Sequence, residues 1–178
     1  MKKIILITSL FSFLIYAQSQ NRDSSEITRN ELKFNSGYLL LEYVEISYEA
    51  LLNEESGIGI SLGAPLNNAI DYKFAAIPYY RLYFGGKPAA GFFIEANAAL
   101  IKQEVRTPNT GFIGFIFEPV NVVERDEFTA GLGLAIGGKF LTKKGWIGEI
   151  FAGGGKNFLN DDASGGYPRF GIKIGKRF

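Results

Sequence analysis

Acidic and basic side chains recur at alternating positions along several segments of this sequence, and they are the residues whose types could do chemistry. Eight of them share one parity and form the main charged cluster, which consists of Glu45, Glu49, Arg81, Glu95, Lys139, Glu149, Arg169 and Lys173. Buried charges need partners, so such a cluster forms either a gated polar conduit or a hydrogen-bonded plug. The width of the structure that holds the charges decides between the two.

Catalytic chemistry finds little support in the composition. The chain has no His and no Cys, which excludes a Ser–His–acid arrangement and thiolate chemistry. A pair of carboxylates acting on sugars is conceivable in principle, but the strand carboxylates point into a filled interior. The run Asn160-Asp161-Asp162 offers too few oxygen ligands for a specific calcium site. We therefore predict no catalytic residue, no metal site, no cofactor and no enzymatic activity.

The charge balance argues against a nucleic-acid partner. Nineteen Lys and Arg residues face 18 Asp and Glu residues, which gives a net charge of +1 over 178 residues. Such a chain creates no long-range field that would attract a polyanion. We predict no contact with nucleic acid.

The N-terminal segment has the pattern of an export signal. Lys2 and Lys3 precede an apolar run over residues 4–16, and Ala17-Gln18-Ser19 provides small residues for cleavage. Thirteen residues are too few to span a bilayer, which takes about 20. We predict a signal peptide over residues 1–19, which is removed, and a polar lead in the periplasm over residues 20–30.

From residue 31 onward the hydrophobic pattern has a period of two, which is typical of β-strands. It predicts one domain over residues 31–178 with eight strands, at residues 32–41, 43–52, 58–66, 73–84, 90–105, 127–140, 146–157 and 167–178. The connections after the second, fourth and sixth strands are short, whereas those after the third, fifth and seventh are longer. The first connection, near Glu42, departs from this rule by being short. Short turns at one end and long loops at the other are typical of an outer-membrane barrel.

The composition of the polar face indicates which side is inside. Charges of both signs share that face with Gly131, Gly133 and Gly137 on one strand. A solvated surface has no reason to choose glycine, which weakens strands. A narrow lumen does, because large side chains there need small ones opposite. We therefore place the charged cluster in the lumen and favour the plug over the conduit.

Aromatic residues near the strand ends support the same assignment. Six at the predicted periplasmic end share the apolar parity, and they are Phe34, Phe84, Phe92, Phe140, Trp146 and Phe178. Interfacial girdles of this kind are required at the boundaries of membrane barrels. At the opposite end Phe74, Phe128, Phe158 and Phe170 follow the same parity. The terminal Phe178 also resembles the last residue of bacterial outer-membrane barrels, which implies recognition by the barrel assembly machinery.

The longest loop contains an apolar run. Its apolar patch consists of Phe112, Ile113, Phe115, Ile116 and Phe117. An exposed apolar run is either a docking patch for an envelope protein or lipid, or a packed lid or hairpin that avoids aggregation. We favour the packed lid or hairpin.

Three segments and the terminal strand carry a family resemblance. The segments ELKFN at residues 31–35, EISYE at 45–49 and YYRLYF at 79–84 resemble small outer-membrane β-barrel domains of unknown function in Bacteroidetes-type bacteria. The layout is distantly similar to the OmpX and OmpW proteins, although the short first loop differs from both. The resemblance implies a Gram-negative outer membrane and no established activity.

The sequence therefore predicts an all-β, eight-stranded, antiparallel, up-and-down transmembrane barrel in the outer membrane. The predicted function is non-enzymatic, with a structural or interaction role in the cell envelope, outer-membrane lipid as its surroundings and a possible envelope partner at the outer loops. A narrow transporter, through the lumen or a lateral opening, is the first alternative. A secreted soluble barrel that carries an apolar ligand is the second.

Overall fold

The computed structural model describes residues 29–67, 72–109, 121–158 and 165–178. These residues form one closed barrel in which each strand pairs with the next and β8 pairs with β1, every pair antiparallel. The prediction of an eight-stranded, antiparallel, up-and-down barrel is confirmed. The signal peptide over residues 1–19 and most of the polar lead over residues 20–30 lie outside the described residues. Among the described residues, no α-helix is long and apolar enough to cross a bilayer.

The elements follow one another in a simple order. They are β1 (Asn30–Asn35), α1 (Ser36–Leu39), β2 (Tyr43–Leu51), β3 (Ser56–Pro65), β4 (Tyr72–Phe84), β5 (Gly91–Asn109), β6 (Asn121–Leu141), β7 (Trp146–Asn157) and β8 (Gly166–Arg177). Three tight connections, residues 52–55, 85–90 and 142–145, lie at one end, which we call the turn end. The other connections lie at the opposite end, which we call the loop end.

The prediction for the first strand is wrong. Strand β1 stops at Asn35 instead of residue 41, and α1 with a following turn connects it to β2. The alternation that defines β1 breaks at Ser36-Gly37, and the three consecutive leucines that follow no longer alternate with polar residues. The first connection therefore spans residues 36–42 and is not short. It ends at Glu42, whose φ of 55° lies in the left-handed region.

Strands β5 and β6 are the longest, with 19 and 21 residues. Their ladder runs from Gly91↔Lys139 to Asn109↔Asn121, whereas β4 leaves β5 at Gln103 and β7 leaves β6 at Gly131. The two strands therefore continue as a hairpin beyond their neighbours at the loop end. Membrane-spanning strands need only about 9–11 residues, so this hairpin projects past the barrel rim.

The outer surface of the barrel is apolar. On β6, Leu132, Leu134, Ile136 and Phe140 are 56–70% exposed, and comparable residues point outward from the other strands. The inward positions instead carry charged, polar and aromatic side chains, most of them buried. Two apolar clusters lie inside as well, one near the turn end around Tyr83 and Phe93 and one near the loop end around Ile77 and Tyr167. The lumen therefore holds charged and apolar side chains together.

Inward-facing glycines make room for the large side chains. A Cβ on Gly137 would lie 2.6 Å from the Phe93 ring, and a Cβ on Gly155 would lie 2.3 Å from the Tyr167 ring. Real Cβ atoms do not come this close to another heavy atom. Each of these glycines is therefore required by a ring that fills the lumen opposite it, as the narrow interior of an eight-stranded barrel demands.

A substitution on β7 tests this packing. Gly155→Ala is expected to destabilise the barrel by about 1–3 kcal/mol, because the buried Tyr167 ring must move. Gly148→Ala on the same strand is the control, since a Cβ there meets nothing within 4 Å. Urea-induced unfolding, followed by the migration of unheated samples on gels, measures both. Equal midpoints for the two variants would contradict the packing argument.

Candidate functional site: the charged lumen

The structure brings all eight residues of the charged cluster into the lumen. Their relative exposure is between 0 and 2%, and they come from six strands, β2 and β4 to β8. The alternation of each strand carries them inward, because side chains of successive residues point to opposite faces. The site is therefore one interior cluster formed by residues that are far apart in the sequence.

Three further charges belong to the same cluster and were not predicted as part of it. Glu31, Lys33 and Arg177 are inward-facing and at most 8% exposed. The signal was present in the sequence, since Glu31 and Lys33 alternate with Leu32 and Phe34. With them, the buried charged side chains of the described residues comprise six cations and five carboxylates.

The carboxylate of Glu49 is the centre of the half of the network nearest the turn end. It accepts hydrogen bonds from Lys33 Nζ, from Arg81 and Lys139 at 3.3 Å each, and from the hydroxyls of Tyr79 and Tyr83. All of these partners are buried. Removing this single carboxylate would leave three cations with fewer acceptors.

The carboxylates of Glu31, Glu49 and Glu149 come close enough together to form a candidate metal site. One oxygen from each lies within 4.8 Å of the others. Two ammonium groups occupy this region, however: Lys33 Nζ lies 2.8 Å from Glu149 and 3.1 Å from Glu31, and Lys139 Nζ lies 2.7 Å from Glu31. The lysines supply the positive charge that a cation would otherwise bring.

A second group of charges lies nearer the loop end. Arg169 donates to Glu95 at 2.9 Å and to Glu45 at 3.1 Å, and Lys173 lies 2.9 Å from Glu45. Arg81 joins the two groups, because it contacts Glu95 at 2.8 Å and Glu149 at 2.9 Å. The lumen charges therefore form one continuous network.

Aromatic rings complete the filling of the lumen. The Arg81 guanidinium lies 4.2 Å from the centroid of Phe93 and 4.6 Å from that of Tyr79. Lys173 Nζ lies 4.8 Å from the centroid of Phe151. Cations stacked on rings gain electrostatic energy, and more so when both are buried, so these rings stabilise the charges as well as filling the space around them.

The connection between β4 and β5 folds across the turn end of the lumen. Ala89 is fully buried, and its N–H donates to Glu54 O at 2.5 Å. Arg177 donates to the carbonyls of Pro88 and Ala89 at 2.9 Å each, and its Nε donates to Glu31. One side chain thus ties this connection to β8 and β1.

Lys73, near the start of β4, is a residue whose inward or outward direction does not follow the alternation of its strand. The pattern places it with Arg81 on the lumen face, but an irregularity between Tyr72 and Phe74 turns it outward. It lies at the loop end, 2.5 Å from Asp126 and 3.0 Å from Glu104. At the base of the projecting hairpin, the hydrogen bonds that Lys73 and Lys102 donate lower the pKa of Asp126 below its usual value.

Five of the six predicted girdle aromatics lie at the turn end. Phe84, Phe92, Phe140, Trp146 and Phe178 are 48–70% exposed on the outer surface. Phe34 differs, because it is half-buried and pairs with Ile46 and Ile174 further along the strands. The predicted apolar patch of Phe112, Ile113, Phe115, Ile116 and Phe117 lies outside the described residues.

Comparison with known proteins supports the architecture. No family model matches the chain, and no curated protein matches it. The chain is similar in structure to the N-terminal β-barrel domain of Pseudomonas aeruginosa OprF, with a TM-score of 0.52 and 14% sequence identity. The similarity covers 85% of this chain and 98% of that one. At this identity the likeness concerns the fold.

A single isosteric substitution tests the importance of the network. Glu49→Gln is expected to destabilise the barrel by about 3–5 kcal/mol, because it leaves buried cations without their carboxylate. Glu55→Gln, in an exposed turn position, is the control and should have no effect. Urea unfolding in lipid vesicles measures the difference. If both variants unfold at the wild-type midpoint, Glu49 does not anchor the network.

Proposed function

We propose that this protein is an outer-membrane barrel with a non-enzymatic structural or interaction role in the cell envelope. The observation that carries the proposal is the inversion of polarity across the barrel wall. Leucine, isoleucine and aromatic side chains cover the outside, while paired charges fill the inside. Soluble monomers rarely expose apolar patches of more than a few hundred Å².

This arrangement fits lipid surroundings. An apolar outer band flanked by aromatic residues is the pattern of transmembrane barrels, and closure satisfies the backbone hydrogen bonds without water. The turn end would face the periplasm and the loop end the exterior. The resemblance to small barrel domains of Bacteroidetes-type bacteria agrees with this placement. The soluble-carrier alternative needs an apolar interior, which the charged lumen does not offer.

The same lumen argues against catalysis as the function. The four carboxylates of the charged cluster each accept a hydrogen bond from at least one Lys or Arg; they are those of Glu45, Glu49, Glu95 and Glu149. A general acid or base needs access to a substrate, and these groups are at most 2% exposed. The absence of His from the sequence points the same way.

The projecting hairpin of β5 and β6 supports an interaction role. Beyond Gln103 and Glu127, its two strands pair only with each other in the part of the chain that the structure describes. The described ends of the hairpin, Asn109 and Asn121, lie beyond the last pairs that β5 forms with β4 and β6 forms with β7. We propose that the hairpin presents the loop over residues 110–120 to an envelope partner.

Planar bilayers separate this proposal from the transporter alternative. The purified protein is expected to show no conductance above background, because the ion-pair network and the turn end connection close the lumen. Single-channel recording measures this directly, with protein-free detergent as the control. Discrete, reproducible conductance steps would favour the transporter instead.

Phe178 tests the proposed route to the membrane. Its N–H and C=O pair with Asn30 at 2.9 and 3.1 Å, and its ring is 51% exposed. Phe178→Ala keeps both backbone bonds, so refolding in detergent should be unchanged, while the amount of folded barrel in cell envelopes should fall several-fold. The measurement is gel migration of unheated membrane samples.

Phe140→Ala is the matched control, since Phe140 is the same residue type at the same end and is also exposed, at 70% against 51% for Phe178. It should assemble like the wild type. Equal losses in both variants would mean that the Phe178 ring acts as an interfacial anchor only. Normal assembly of Phe178→Ala would contradict its role in recognition by the assembly machinery.

A further inference from the structure

The barrel wall has a gap on one side near the loop end. Strand β1 pairs with β8 only as far as Asn35↔Lys173, and with β2 only as far as Phe34↔Ile46. Strand β8 extends back to Gly166, and β2 begins at Tyr43. In the described part of the chain, no strand connects residues 166–172 of β8 to residues 43–45 of β2. We call this gap the lateral window.

The segment 36–42 fills the lateral window with side chains instead of a strand. Ser36 Oγ donates to Ile172 O at 3.0 Å, and Asn35 Nδ2 donates to Phe170 O at 3.4 Å. The Tyr38 ring packs edge-on between Tyr43 and Phe170, with centroids 5.4 and 5.2 Å away. Tyr38 therefore closes the space between the two strand edges.

This closure is weaker than the rest of the wall. Helix α1 has four residues, no side-chain cap and no buried residue. A single helical turn is marginal in isolation, because nucleation costs more than its few hydrogen bonds return. Leu40 is 89% exposed on the segment, and Glu42, at its far end, adopts a left-handed conformation. Segments with few buried contacts are those that open locally.

Polar groups lie directly behind the window. Glu45 accepts from Arg169 and Lys173, and all three are at most 2% exposed. Asn35, at the lower edge of the window, is fully buried, and its Oδ1 has no hydrogen-bond partner. A buried acceptor without a donor is costly. An entering water or small polar molecule would satisfy it.

We infer that residues 36–42 form a lid over a lateral opening in the barrel wall. The lid turns about Glu42, whose carbonyl is held by the N–H of Leu66 at 2.7 Å, and Tyr38 is its seal. When it opens, small molecules reach the polar cluster of Glu45, Arg169 and Lys173 from the side of the barrel. Its position beside the outer leaflet rests on the proposed membrane location.

The rate at which the Lys173 amine is acetylated measures how often the lid opens, and no added label is needed. Wild-type protein in detergent is treated with acetic anhydride, and acetylation is followed by mass spectrometry at Lys173, Lys33 and Lys139. These three lysines are equally buried, but only Lys173 lies behind the window. Tyr38→Ala is expected to accelerate acetylation of Lys173 by about tenfold through easier local opening. The rates at Lys33 and Lys139 should be unchanged.

A disulfide across the window supplies the opposite test. A Cβ on Gly37 would lie 3.8 Å from Ile172 Cβ, which is the usual separation in a disulfide, and the chain has no other cysteine. Oxidised Gly37→Cys/Ile172→Cys protein should acetylate at Lys173 about tenfold more slowly than the reduced form, because local opening is blocked. Reduction should restore the rate.

Three outcomes would contradict the proposal that residues 36–42 form a lid. These are equal Lys173 rates in the oxidised and reduced protein, no acceleration by Tyr38→Ala, and equal acceleration at all three lysines. Migration of unheated samples on gels verifies in parallel that each variant is a folded barrel. The gel therefore separates a variant that does not fold from one that folds without a working lid. Because acetylation is measured in detergent, its result does not depend on the proposed membrane location.

Discussion

The narrow interior of an eight-stranded barrel is the constraint on which the rest of this structure depends. Such a cylinder leaves room for side chains and little else, so every large inward group requires a small one opposite it. Gly137 and Gly155 face Phe93 and Tyr167 for this reason. The same lack of space excludes water, which forces the inward charges to contact one another. The narrow width of the lumen therefore explains both the steric fit of its side chains and the pairing of its charges.

The charged lumen is better understood as a means of specificity than as a source of stability. Burying ion pairs costs desolvation energy that their attraction only partly returns, and apolar replacements of equal volume are often as stable. In a barrel that is apolar on both faces, however, the sequence would not specify which face of each strand points into the lumen. Arg81, which contacts Glu49, Glu95 and Glu149, can be satisfied only if four strands are in register. We propose that the network selects this register.

Alternation in the sequence predicts most of this architecture, and its failures have local causes. Strands β2 to β8 and the inward direction of Glu45 and Arg169 follow from a period of two. The first strand was predicted too long, because the period is lost at Ser36-Gly37 and replaced by a turn of helix. The alternation of β4 would place Lys73 in the lumen, but the register shift between Tyr72 and Phe74 leaves it on the outer face. The pairing of the charges was not predictable, since each pair joins strands distant in the sequence.

The shortest strand shows how the two constraints work together. Strand β1 forms only five residue pairs with each neighbour, the shortest ladders in the barrel. Its inward residues compensate across the lumen: Lys33 contacts Glu49 on β2 and Glu149 on β7, and Glu31 contacts Lys139 on β6 and Arg177 on β8. Backbone pairing closes the barrel at its seam, while side-chain charges tie that seam to the opposite wall. Above Asn35 these cross-connections end, and there the wall consists of α1 instead of a strand.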